Sequence, residues 1–87
     1  MKLDGNAIAG ALADVFGRDV TLAVMTCSGC HESSVIARAM VYLTAMGSVA
    51  RCPHCDLALV VLSPMPDARI RFSMPGVSSL ELTPDEA

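Results

Sequence analysis

The chain has 87 residues, four of them cysteine, and a formal net charge of −3; hydrophobic residues make up 53 % of it and aromatic residues only 3 %. That composition excludes an intrinsically disordered segment, a second domain and a core built from large rings. Apolar burial barely offsets chain entropy at this size, so natural domains of this length commonly add a disulfide, a metal or a partner.

Asp4 is a suitable N-cap, since its carboxylate can accept from the free backbone N–H groups that open a helix. Ile8, Leu12, Val15 and Phe16 then recur on one helical stripe, and Gly17 stands where a left-handed residue ends a helix. The pattern predicts a helix over 5–16. Gly5 and Gly10 each weaken it by up to about 1 kcal/mol relative to Ala, so it is expected to depend on packing against a sheet. Residues 19–26 read as a strand that delivers the chain to Cys27. Residues 32–46 fit both periods. The β-formers Val35, Ile36, Val41, Tyr42 and Thr44, and the alternation of Val35, Ala37, Ala39, Val41 and Leu43, favour strand, with a hairpin turning at Met46, Gly47 and Ser48.

The unbroken apolar run over 57–62 predicts a short strand covered on both faces. Residues 63–67 are a turn by composition. Residues 69–74 alternate, with Ile70, Phe72 and Met74 facing one way, as in a half-buried strand. After a turn at Pro75 and Gly76, residues 80–82 can add a short edge strand, and 83–87 read as an acidic tail. The expected fold is a single small α+β domain over 1–87: an N-terminal helix packed on an antiparallel β-sheet, with a zinc ribbon made of two cysteine knuckles at 27–30 and 52–55.

The chemistry lies in Cys27-Ser-Gly-Cys30 and Cys52-Pro-His-Cys55, two C-x2-C pairs separated by the 21 residues from His31 to Arg51. Zinc takes four ligands tetrahedrally, with Zn–S near ~2.3 Å. A C-x2-C turn sets two sulfurs on one side of an ion, and two such turns close the tetrahedron. Pro53 pre-sets the φ of the first turn position, Gly29 lets the other turn fold tightly, and Asp56 follows the second pair where a left-handed residue is wanted. One Zn2+ on Cys27, Cys30, Cys52 and Cys55 is the favoured reading. Two others stay open: disulfides or free thiols, and a rubredoxin-like Fe(Cys)4 electron carrier, because tetrahedral S4 suits both metals. Four thiolates leave no open position for catalysis.

His31 and His54 flank the cysteines and read as exposed knuckle residues rather than ligands. Arg51 is either a cation near the site's negative charge or a solvated side chain. Tyr42 reads as a core or interface residue, and the scattered methionines as packing filler. No paired carboxylates, catalytic triad or phosphate loop occurs, so no enzyme is expected.

The mean hydropathy of +0.52 raises the question of a membrane span. No apolar run approaches the ~20 residues a spanning helix needs, and the N-terminus is a poor signal peptide, so the expectation is a cytoplasmic protein with reduced thiols. An acidic chain with six dispersed basic residues disfavours nucleic-acid binding.

The chain resembles, over almost its whole length, a family of small uncharacterised zinc-ribbon proteins found mainly in actinobacteria. The resemblance rests on Asp4-Gly5-Asn6-Ala7 with Ala9-Gly10, on Phe16-Gly17 and Asp19-Val20-Thr21, on Cys27 and Cys30, on Val41-Tyr42 and Gly47-Ser48-Val49, and on Arg51-Cys52-Pro53-His54-Cys55. His31 departs from the pattern, which usually has Gly there. The resemblance implies a zinc-binding fold and brings no activity.

The function expected from these features is a zinc-stabilised module that binds a protein partner or a second copy of itself. The apolar run at 57–62 motivates the homodimer, because one of its faces lies beyond the reach of a single helix.

Overall fold

The N-terminal helix forms where its cap and stripe place it, but in two parts. In the computed structural model, which describes residues 2–67 and 69–82, Asp4 caps a 3-10 turn over Gly5–Ile8, its carboxylate accepting from the Asn6 N–H at 3.0 Å. Helix α1 continues over Ala9–Phe16 and stops at Gly17, whose φ is 76°. Ahead of the cap, Lys2–Asp4 forms a strand, β1, that no periodicity announced in so short a segment.

The strand expected over 19–26 begins late. The Asp19 carboxylate accepts from both the N–H and the hydroxyl of Thr21, at 2.9 and 2.8 Å, and the Ala23 N–H donates to the Val20 carbonyl. This Asx turn competes with the sheet for the same backbone groups, so strand β2 covers only Val24–Cys27. The carbonyls of Thr21 and Ala23 accept instead from the N–H groups of Ala37 and Ile36. Those donors belong to a 3-10 turn over Ile36–Arg38 that divides the predicted 32–46 strand into β3, Ser33–Val35, and β4, Met40–Thr44.

Strand β5 spans Gly47–Arg51, and Thr44 pairs with Gly47, so the hairpin turns on Ala45 and Met46, slightly earlier than expected. Strands β6, Ala58–Pro64, β7, Ile70–Ser73, and β8, Val77–Glu81, complete the described chain. The expected acidic tail over 83–87 lies outside the described residues.

The strands make two sheets rather than one, all pairs antiparallel: a five-stranded sheet in the order β1-β4-β5-β6-β7 and a three-stranded sheet in the order β3-β2-β8. The last strand therefore returns to β2, not to its sequence neighbour. Residues paired across a ladder share a face, so Leu3, Val41, Ala50 and Val60 point the same way. Their side, with Ile8, Leu12, Met25 and Ile36, is the buried core. Phe16 at the end of α1 meets Phe72 of β7 edge to face, centroids 5.7 Å apart.

The apolar run in β6 has a different cause from the one its sequence suggests. Ala50 pairs with Val60 but Arg51 pairs with Ala58, which leaves Leu59 as the extra residue of a β-bulge. The bulge interrupts the alternation, so Leu59 and Val60, adjacent in sequence, are both 1 % exposed, while Ala58 and Val61 are only half-buried. Cover on both faces is not what makes the run continuous. The opposite face of the large sheet carries Met40, Tyr42, Val49 and Val61, all half-buried, with the Arg51 guanidinium 5.8 Å from the Tyr42 ring centre. Among the described residues no helix is long and apolar enough to cross a membrane.

Candidate metal centre

Each C-x2-C pair sits in a hairpin turn, and the two turns belong to different sheets. Cys27 ends β2, so the first knuckle joins β2 to β3 in the small sheet; Cys52 follows β5, so the second joins β5 to β6 in the large one. The two turns repeat one local plan. The N–H of Cys27 donates to the Glu32 carbonyl at 2.9 Å and that of Cys52 to the Leu57 carbonyl at 2.8 Å. The carbonyls of Cys27 and Cys52 accept from the N–H groups of His31 and Asp56, both at 2.9 Å. The N–H groups of Gly29 and His54 point at the sulfurs of Cys27 and Cys52, at 3.3 and 3.4 Å.

The residue after each pair is left-handed: φ is 65° at His31 and 67° at Asp56. Asp tolerates that region; for an L residue such as His it costs about 1–2 kcal/mol. His31 nonetheless takes the same left-handed conformation as Asp56.

The knuckles bring the four Sγ atoms within 4.8 Å of one another. Across the two turns, Cys27 and Cys55 approach to 3.5 Å and Cys30 and Cys52 to 3.7 Å. A tetrahedron with metal–sulfur bonds of ~2.3 Å has edges of about 3.8 Å, whereas a disulfide needs about 2.05 Å. The donor set and its spacing fit a tetrahedral metal ion, and all four thiols are free of disulfides. Cys27 and Cys52 are buried, Cys30 is half-buried and Cys55 exposed.

The cluster is electrostatically uneven. The backbone N–H of Cys30, aided by that of Gly29, outweighs burial and holds the Cys27 thiol down at about 7. At Cys30 the N–H of Glu32 pulls the same way, but burial and the neighbouring sulfurs prevail and push the thiol up to about 12. At Cys55 the Leu57 N–H is likewise overcome by burial and by the Cys27 sulfur, and the thiol is raised. The Cys27 thiolate forms readily, whereas deprotonation of Cys30 and Cys55 is opposed by their surroundings and would be favoured by a cation among the sulfurs.

Neither imidazole joins the four sulfurs: the cysteines are the group of potential ligands that converges among the described residues, while His31 and His54 are exposed. Arg51 is half-buried and engages the second knuckle. Its Nη1 donates to the Asp56 carbonyl at 2.9 Å and so props the second knuckle from outside. The supporting backbone N–H groups follow from the C-x2-C turn itself, whose spacing aims them at the sulfurs whatever the residue types between.

The fold and site together define a small antiparallel β protein with one N-terminal helix and a four-cysteine cluster able to hold a metal ion. A model described as a family of unknown function (DUF6510) matches residues 1–85, and the chain belongs to that family. Comparison with curated proteins and with solved structures gave no match.

Proposed function

We propose that Cys27, Cys30, Cys52 and Cys55 hold one structural Zn2+, and that the chain is a non-enzymatic module for protein–protein contact in a reducing compartment. The observation that carries this is the placement of the two knuckles on two different sheets, with four sulfurs at tetrahedral spacing. A metal there joins the small sheet to the large one, which is the work of a structural ion. Four thiolates fill the coordination shell and leave no position for a substrate or an activated water.

Metal analysis of the purified chain, with its absorption spectrum, tests this. One zinc per chain and a colourless solution are expected. Iron with visible thiolate-to-metal charge-transfer bands would convert the reading to an electron carrier, and a chain that is folded with less than stoichiometric metal would overturn the structural role.

A further inference from the structure

Strand β3 is an edge of the small sheet, and its hydrogen-bond phase determines what that edge offers. In an antiparallel ladder the bonded pairs alternate. The Cys27 N–H donates to Glu32 and the Ile36 N–H to Ala23, while the register sets Met25 opposite Ser34. The bonded pairs are therefore 27 with 32, 25 with 34 and 23 with 36. The hydroxyls of Thr26 and Ser33 meet at 2.8 Å, as side chains do in the unbonded pair between them. Ser33 consequently turns both its N–H and C=O groups away from β2, toward the open edge, and Val35 turns its N–H there, its carbonyl being the one that opens the 3-10 turn over Ile36–Arg38.

That edge lines a cleft of about 920 Å³, which runs along Glu32, Ser33, Ser34 and Val35. The cleft is also lined by Arg38 of the 3-10 turn that follows β3, by Asp4 at the end of β1, and by Pro53 and His54 of the second knuckle. The cleft admits an extended strand. A second copy of this acidic chain would bring the same carboxylates to the cleft, so like charge disfavours it as the occupant. The exposed carboxylates of Asp4 and Glu32 outnumber the single Arg38 guanidinium, on a chain whose net charge is −3.

We infer that the cleft receives an extended, basic segment of a partner protein, which adds to the small sheet as a fourth strand beside β3. Main-chain bonds to the N–H and C=O of Ser33 and to the N–H of Val35 give the segment its hold, and a Lys or Arg facing Glu32 gives it sign. The inference rests on reading the chain as an interaction module and is independent of which metal fills the cysteine site.

The test uses the full metal-loaded chain and a displayed library of random linear peptides, followed by amide hydrogen exchange with a selected peptide. Enriched peptides should carry Lys or Arg and should slow exchange at Ser33 and Val35. Glu32→Lys should weaken binding about tenfold or more with metal content unchanged. Ser33→Pro, which removes one outward N–H at an edge position where proline is tolerated, should do the same. No enrichment, protection elsewhere, or binding indifferent to Glu32→Lys would overturn the inference. Protection of Ser33 and Val35 that grows with protein concentration alone would overturn it in favour of a second copy. Loss of metal from the purified chain would instead count against the zinc-module reading.

Discussion

Two glycines near the N-terminus show how little residue type says about local cost. Both are helix-weakening by propensity, yet they occupy opposite environments. A Cβ built on Gly5 would fall onto the carbonyl oxygen of Ile36, where the two 3-10 turns touch; a Cβ on Gly10 would meet nothing within 4 Å. Gly5 is thus required by a close backbone approach, and Gly10 is an unfilled helix position. Gly10→Ala should stabilise the fold by about 0.5–1 kcal/mol, and Gly5→Ala should destabilise it by about 1–3 kcal/mol. Thermal unfolding of the two variants, metal-loaded, checks this; the same sign for both would contradict the packing described for Gly5. The cysteines differ too, although their spacing made them look equivalent. Cys27 is drawn down to about 7 chiefly by two backbone N–H groups, whereas at Cys30 burial and the neighbouring sulfurs overcome the one N–H that points at it and push the thiol up to about 12.

At the scale of the element, the knuckle turns those differences into a pH dependence. Metal uptake at neutral pH must expel protons from Cys30 and Cys55, whose thiols are raised, so apparent affinity rises with pH. Above about 7 the Cys27 thiolate is already formed; below it that proton must also be displaced, and affinity falls more steeply as pH drops. Competition against a zinc-binding dye from about pH 6 to pH 8 reads this slope directly, and a flat profile would count against thiolate ligation. The β6 bulge offers a second element-level test. Leu59→Ala should cost about 2–4 kcal/mol, because its side chain is buried beside Val60, whereas Val61→Ala on the open face should cost about 1 kcal/mol or less. Denaturant unfolding of the two variants would show comparable losses if the strand were covered equally on both faces.

For the whole molecule, the decisive fact is that the cysteine pairs belong to separate sheets. A structural zinc contributes about 10–16 kcal/mol of apparent binding free energy, against a total stability of about 5–15 kcal/mol for a typical domain. Cys27→Ser or Cys52→Ser should therefore leave the chain largely unfolded or aggregated, and a chelator should do the same to the parent chain. Circular dichroism and near-native hydrogen-exchange protection retained without metal would refute that dependence. Much of this architecture was legible from residues alone. The cap at Asp4, the stop at Gly17 and the two C-x2-C turns depend on neighbours within a few positions, so local sequence encodes them. Alternation likewise located the strands around Val41 and Phe72, because a half-buried face leaves a period of two. What sequence could not decide was everything set by distant pairing. The bulge that buries Leu59, the return of β8 to β2 and the division into two sheets all depend on pairing with other strands, whereas the Asp19 turn that shortens β2 is local and was hidden by the β-forming residues around it. The sequence by itself determined which four sulfurs meet, because their spacing is local chemistry. Only the tertiary structure decided that they meet between two sheets, beside an open strand edge, since register and sheet order follow from long-range packing.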